Sequence, residues 1–148
     1  MRLILILAIA IIIFSCTKDK FTTKPQLKYK SVNTTTVSGD QEIRIRLDLT
    51  DKEGDFTSFL GVKKTVKGCL LSGFIDSTKY FIPGDFLSSK EKEGEVVVTF
   101  DKSLSGSNAC SLPGGATRPD TTVYSFWTKD KAGNVSDTAY SSTIIILN

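Results

Sequence analysis

The sequence predicts an all-β fold, a single antiparallel sandwich of two sheets. The first reason is a period of two, because apolar and polar residues alternate without a break over residues 41–50. Such alternation is typical of a half-buried antiparallel strand. The second reason is that clusters of Gly, Pro, Asp, Asn and Ser separate several similar short segments. The third is that no stretch after residue 16 has the 3.6-residue period of an amphipathic helix. Short strands in this number favour two packed sheets with Greek-key connections.

The clearest strand is the segment 41–50. Its apolar face consists of four aliphatic residues at alternate positions: Ile43, Ile45, Leu47 and Leu49. Further strands are predicted wherever β-branched and aromatic residues cluster. These are residues 27–32, 58–66, 79–82, 95–100, 121–128 and 138–147. Trp127, near the end of the strand 121–128, is expected to lie in the core rather than to form a platform for a sugar.

The N-terminal residues have the features of a secretion signal. Arg2 provides a positive charge, residues 3–14 form an unbroken apolar run, and the small residue Ser15 precedes Cys16. A helix rises ~1.5 Å per residue, so this run is too short to cross a ~30 Å hydrocarbon core. We therefore expect a cleaved signal rather than a membrane-spanning helix.

The segment Ile-Phe-Ser-Cys at residues 13–16 resembles the lipobox of bacterial lipoproteins. The resemblance implies cleavage of residues 1–15, a diacylglyceryl group on the sulfur of Cys16, and a place in the outer membrane, on its periplasmic face or at the cell surface. Residues 16–26 are mostly polar and are expected to form a flexible, lipid-anchored tether. The folded domain would then be residues 27–148. The alternative is an ordinary signal peptide followed by an incidental cysteine.

The chain contains three cysteines, an odd number for an exported protein. If Cys16 carries a lipid, Cys69 and Cys110 remain as one candidate disulfide in an oxidising compartment. The chain-entropy model assigns about 4 kcal/mol of stabilisation to a loop of this length. Two buried free thiols are the alternative, because sequence spacing does not show whether the side chains meet.

Two segments share a turn pattern. Residues 51–55 are Asp-Lys-Glu-Gly-Asp and residues 130–134 are Asp-Lys-Ala-Gly-Asn. In such turns Gly can adopt a positive φ, and Asp or Asn can cap the turn through its side chain. The second segment resembles the Asp-x-Ala-Gly-Asn turn before the final strand of many bacterial immunoglobulin-like domains, and the first resembles an acidic turn of small lipoprotein sandwiches. The resemblance implies an immunoglobulin-like sandwich with both loops at one end.

The first of these loops is a candidate calcium site. Asp51, Glu53 and Asp55 place carboxylates at alternate positions, and calcium prefers six to eight oxygen ligands. Candidates for additional ligands lie in and after the second loop: Asp130, Asn134 and Asp137. The spacing differs from that of an EF-hand, and the lysine in each loop opposes a cation. Two solvated turns without metal are the alternative, and no other cofactor is expected.

The sequence provides little for catalysis, and we expect no enzymatic activity. The chain has no histidine, which excludes nucleophile–histidine systems and most zinc sites. A glycosidase-like pair would need two of four neighbouring acids to face a cleft, namely Asp48, Asp51, Glu53 and Asp55. The net charge of +3 without a basic block makes nucleic acid an unexpected partner.

The predicted function is that of a binding or interaction module of the cell envelope, attached to the membrane through its lipid. An envelope protein or a glycan is the expected partner. Candidate binding regions are residues 70–87, which are rich in apolar side chains, and the long segment 101–120. One alternative is that the aromatic residues of segment 70–87, Phe74, Phe81 and Phe86, only cover a sheet. Another is that the protein is structural and has no ligand, or that it is a carbohydrate-active accessory protein.

Overall fold

The computed structural model describes residues 22–38, 40–67, 75–81, 91–100 and 119–147. These residues contain strands and turns and no helix, which confirms the all-β prediction. None of them therefore belongs to a helix of the length and apolarity needed to span a membrane. The predicted signal and most of the tether lie outside the described residues.

The strands in chain order are β1 (Gln26–Val32), β2 (Thr36–Val37), β3 (Ile43–Thr50), β4 (Phe56–Lys67), β5 (Ile75–Phe81), β6 (Glu93–Phe100), β7 (Asp120–Asp130), β8 (Ala139–Tyr140) and β9 (Ile144–Ile146). Every predicted strand has a counterpart, but β2 was not predicted and the predicted strand 138–147 is interrupted. Ser141 causes that interruption, because its Oγ accepts a hydrogen bond from the Tyr124 amide at 3.0 Å. The Ser141 hydroxyl thus accepts a hydrogen bond that a backbone carbonyl would accept in a regular strand.

The strands form two sheets. The smaller has the order β1-β3-β6, and the larger has the order β2-β9-β7-β4-β5, with β8 also paired to β7. All described pairings are antiparallel except that of β2 with β9, which is parallel over two residues of each strand. The prediction of a purely antiparallel sandwich is wrong in this one pair. After β1 the chain crosses to the edge of the larger sheet, and there β2 runs in the same direction as β9.

The core lies between the sheets, and β3 shows how the sequence creates it. The alternation predicted for this strand is confirmed, since its four aliphatic residues are fully buried and the residues between them face solvent in part or in full. Burying a side chain of this size contributes about 1.5–3 kcal/mol. Across the core, the rings of Phe100 and Tyr124 stack with their centroids 4.5 Å apart, which joins the two sheets directly.

Trp127 lies on the outer face of the larger sheet, so its predicted place in the core is wrong. Its neighbours Phe126 and Thr128 are completely buried, and alternation along β7 therefore turns Trp127 outward. The indole covers Gly61 of β4, the residue opposite it in the register. A Cβ at Gly61 would lie 2.2 Å from Cε2 of Trp127. The absence of a side chain at Gly61 is what allows the indole to lie flat on the sheet.

We expect Gly61→Ala to displace the indole of Trp127 and to destabilise the protein by about 1–3 kcal/mol through overpacking. Trp127 is the one tryptophan of the chain, so its fluorescence spectrum reports the displacement directly. The matched control is Thr65→Ala, at an exposed position of the same strand and face, which should leave the emission unchanged. An unaltered emission spectrum in Gly61→Ala would contradict the packing described.

Candidate cation-binding loop

The loop of residues 51–55 carries the chain from β3 in the smaller sheet to β4 in the larger. Backbone hydrogen bonds fix it on three sides. The amide of Asp51 donates to the carbonyl of Lys92 at 2.8 Å, and that of Lys52 donates to Thr22 at 3.1 Å. The carbonyl of Asp55 accepts from the amide of Lys131 at 2.9 Å. The loop therefore connects both sheets and touches the second loop.

Asp51 forms the turn from inside the protein. Its side chain is 0% exposed, and its Oδ1 accepts hydrogen bonds from the amides of Glu53 at 2.8 Å and Gly54 at 2.9 Å. Gly54 has a φ of 64°, a conformation that favours glycine. The other carboxylate oxygen, Oδ2, is also buried and has no hydrogen-bond partner within the described part of the chain. Half of this carboxylate is therefore satisfied and half is not.

The ionisation of Asp51 reflects this environment. Burial raises the pKa of the Asp51 carboxyl group above its ordinary value, and the amides of the turn lower it by a smaller amount. The negative charge of Asp55 also raises this pKa. A buried carboxylate beside a second acid is a group that a cation would stabilise.

The three acids predicted from the sequence do come together. One carboxylate oxygen from each of Asp51, Glu53 and Asp55 lies within 4.8 Å of the others. Calcium–oxygen distances are about 2.4 Å, so two ligands on opposite sides of a calcium ion are about 4.8 Å apart. Asp55 is half-buried and Glu53 is exposed, which leaves one side of the cluster open to water.

The second loop also has a buried aspartate and a glycine with positive φ, but its hydrogen bonds differ from those of the first. Asp130 is buried, and its Oδ1 accepts from the amide of Asn134 at 2.7 Å. Its Oδ2 accepts from the side-chain amide of Asn134 at 2.6 Å. Gly133 has a φ of 90°, comparable to that of Gly54. Both oxygens of this buried carboxylate are therefore satisfied by one asparagine.

The additional calcium ligands proposed from the sequence are not part of the cluster. Among the described residues, the metal-competent group contains three acids only. Asp130 and Asn134 bind each other, as described above. Asp137 forms an ion pair with Lys24 at 2.5 Å, and its side chain is 93% exposed. Asp48 lies in β3, where it forms an ion pair with Lys30 at 3.2 Å.

The outer face of the smaller sheet is neutralised by its own side chains. Glu95 of β6 accepts from Lys30 at 2.8 Å and from Arg46 at 2.5 Å. These two cations lower the pKa of Glu95, and Glu95 with Asp48 raises the pKa of Lys30. The alternation of β3 predicted a charged face, but the cross-strand partners emerge only from the register.

The outer face of the larger sheet has a different character. Among its aromatic and aliphatic residues are four that we call the outer surface: Phe59, Trp127, Tyr140 and Ile145. Tyr140 is 64% exposed and Ile145 is 39% exposed. Lys129 lies with its Nζ 5.5 Å from the centroid of the Phe59 ring, a cation–π contact. Sequence reasoning missed this surface because it placed Trp127 in the core.

A third buried carboxylate lies at the start of β7. Asp120 is 1% exposed and Thr122 is fully buried. In the described part of the molecule, neither Asp120 oxygen nor the Thr122 hydroxyl has a hydrogen-bond partner. Residues 101–118, which precede this strand, lie outside that part.

Several predicted features fall outside the described residues. Cys16, Cys69 and Cys110 all do, so lipid attachment and the disulfide stay predictions. Of the two candidate binding regions, only β5 and residues 119–120 are described.

Comparison of the sequence with protein-family models and with curated proteins, and of the structure with solved structures, found no match.

We expect the pH dependence of the free energy of unfolding to reveal the raised pKa of Asp51. Its pKa is higher in the folded than in the unfolded protein, so folding is accompanied by proton uptake between the two values. Its ionisation costs stability near neutral pH, and this cost disappears as the pH falls through the folded-state pKa. In the presence of a chelator, lowering the pH from about 7 to about 4 should therefore stabilise the wild type relative to Asp51→Asn, which cannot titrate.

Urea unfolding at each pH provides the measurement. Asp40→Asn is the matched control, because Asp40 is an exposed acid outside the loop. A stability difference between wild type and Asp51→Asn that does not change with pH would contradict the assignment.

Proposed function

We propose that this protein is a lipid-anchored binding module of the bacterial cell envelope. Its location in the cell envelope is supported by the sequence, in which a short apolar run leads into the lipobox-like segment that ends at Cys16. Its binding role is supported by the outer surface, the single observation that favours a module with a partner over a purely structural protein. The partner is an envelope protein or a glycan.

The order of the strands supports an immunoglobulin-like topology for the sandwich. In such domains one sheet contains strands A, B and E, and the other contains C, F and G. Here β1, β3 and β6 take the places of A, B and E, and β4, β7 and β9 take those of C, F and G. β5 extends the second sheet beside β4, as C′ does in variable-type domains. Domains of this topology host many functions, so the topology alone names no ligand.

The outer surface has the properties of a contact surface. Tyrosine and tryptophan combine a large apolar area with a polar group and lose little conformational entropy on binding. Trp127 is held flat against Gly61, so its ring is positioned before any partner arrives. Tyr140 projects beside β7, opposite Ser125 in the register. Scattered exposed apolar residues are ordinary, but several on one sheet face favour an interaction site.

The lipid anchor has a direct test in the native host or a Gram-negative expression host. Metabolic labelling with a fatty-acid analogue should mark the wild type, because the lipid would be attached to the sulfur of Cys16. Cys16→Ser should remain unlabelled and accumulate with its signal uncleaved. Cys69→Ser is the matched control and should label like the wild type. Equal labelling of wild type and Cys16→Ser would refute the anchor.

The binding role is tested on the outer surface itself. Tagged wild-type protein is cross-linked in intact cells and purified, and the recovered partner is quantified. The double variant Tyr140→Ser with Ile145→Ser should lower recovery about tenfold, or about 1.4 kcal/mol, because tyrosine is among the residues that contribute most to interfaces. Val97→Ser is the matched control, because Val97 is 47% exposed on the outer face of the other sheet.

Competition separates the two kinds of partner. Soluble envelope polysaccharide should block recovery if the partner is a glycan and should not if it is a protein. Equal recovery by the wild type and the double variant would contradict a binding role for this surface. It would favour the structural alternative.

A further inference from the structure

The two similar loops are an internal comparison within one molecule. Each begins with a buried aspartate, contains a glycine with positive φ at its fourth position, and presents an exposed lysine at its second. They differ at two positions only. The third residue is Glu53 in the first loop and Ala132 in the second, and the fifth is Asp55 in the first and Asn134 in the second. Both differences give the first loop a carboxylate that the second lacks.

The fifth position decides whether the buried aspartate is satisfied. In the second loop, the side-chain amide of Asn134 donates to Oδ2 of Asp130 at 2.6 Å. Ionised Asp55 has no side-chain hydrogen to donate, and Oδ2 of Asp51 has no hydrogen-bond partner among the described residues. The second loop therefore holds an amide–carboxylate pair, whereas the first holds two neighbouring carboxylates. A buried acceptor without a donor is unfavourable unless something else neutralises it.

We propose that the loop of residues 51–55 binds a calcium ion, with Asp51, Glu53 and Asp55 as its protein ligands. Oδ2 of Asp51 is the free oxygen of that carboxylate, since Oδ1 already accepts the two turn amides. The ion neutralises Oδ2 of Asp51, as the side-chain amide of Asn134 does for Oδ2 of Asp130. This site is independent of the proposed function, because it depends neither on the lipid nor on the outer surface.

The donor set selects the ion. Three carboxylates and no imidazole or thiolate favour a hard cation over zinc or copper. Magnesium keeps several waters and is usually bound through one or two carboxylates, so a set of three carboxylates fits calcium better. Water completes the coordination on the open side beside Glu53. With three carboxylates and the opposing charge of Lys52, we expect a Kd on the order of 0.1–1 mM, as in extracellular modules.

The first test is thermal unfolding of the chelator-treated full-length protein as calcium is added. Calcium that binds only the folded state should raise Tm by several degrees once its concentration exceeds Kd about tenfold. Magnesium at the same concentration should raise Tm less, and sodium at the same ionic strength should not reproduce the shift. No calcium-dependent rise in the wild type would overturn the proposal, and an equal rise with magnesium would overturn the assignment to calcium.

The decisive variant is Asp55→Asn, which installs the amide of the second loop in the first. The new amide can donate to Oδ2 of Asp51, so Tm in chelator should rise above that of the wild type. The apparent calcium affinity should fall at least tenfold, or the calcium-dependent rise in Tm should disappear. These opposite effects distinguish a ligand from a residue that merely supports the turn. Asp137→Asn changes the same charge at an exposed position and should retain the full response.

Glu53→Gln is a second test variant, and it should leave folding undisturbed because Glu53 is exposed. It should leave Tm in chelator close to that of the wild type and weaken calcium binding measured by isothermal titration. A calcium response that persists unchanged in both Asp55→Asn and Glu53→Gln would overturn the site. Failure of the lipid or outer-surface experiments would leave this result unaffected.

Discussion

The crossing of the chain from β3 to β4 is the constraint on which this sandwich depends. At that point the backbone leaves the smaller sheet and enters the larger, and its amides turn away from both ladders. The buried carboxylate of Asp51 satisfies two of them through Oδ1. The same loop bonds to the backbone at Lys92 and Lys131, which ties the ends of β6 and β7 to the crossing. The turn that this buried acid stabilises thus links the two sheets through its backbone.

Most of the framework could be predicted from the sequence because alternation is a strong signal. The four aliphatic residues of β3 alternate with polar ones, and burying them on one face leaves a single register that keeps charges in solvent. Short elements gave no such signal. β2 has two residues, and the gap between β8 and β9 depends on a hydrogen bond from the Tyr124 amide to the hydroxyl of Ser141. Neither a two-residue strand nor a tertiary hydrogen bond has a period.

The site was predictable in part for the same physical reason. Three acids within five residues must lie near one another, so the sequence could place the cluster. It could not show that one oxygen of Asp51 is buried without a donor, because that depends on the turn geometry. It also placed Trp127 on the wrong side of β7. Alternation separates Phe126 from Trp127 but does not say which of them faces the core; the glycine opposite Trp127, Gly61, was the available clue.

The Asp51 carboxylate is buried, has a hydrogen-bond partner on one oxygen only among the described residues, and lies beside two further acids. The most direct measurement is the pH titration of its carboxyl ¹³C signal by NMR, with chelator and with calcium. In chelator the pKa of Asp51 should lie above its ordinary value, and calcium should move the titration to lower pH because it stabilises the ionised form. The Asp130 signal, whose carboxylate is occupied by Asn134, should not respond to calcium. An Asp51 signal that titrates at the ordinary value of about 3.9 and is the same with and without calcium would contradict the account.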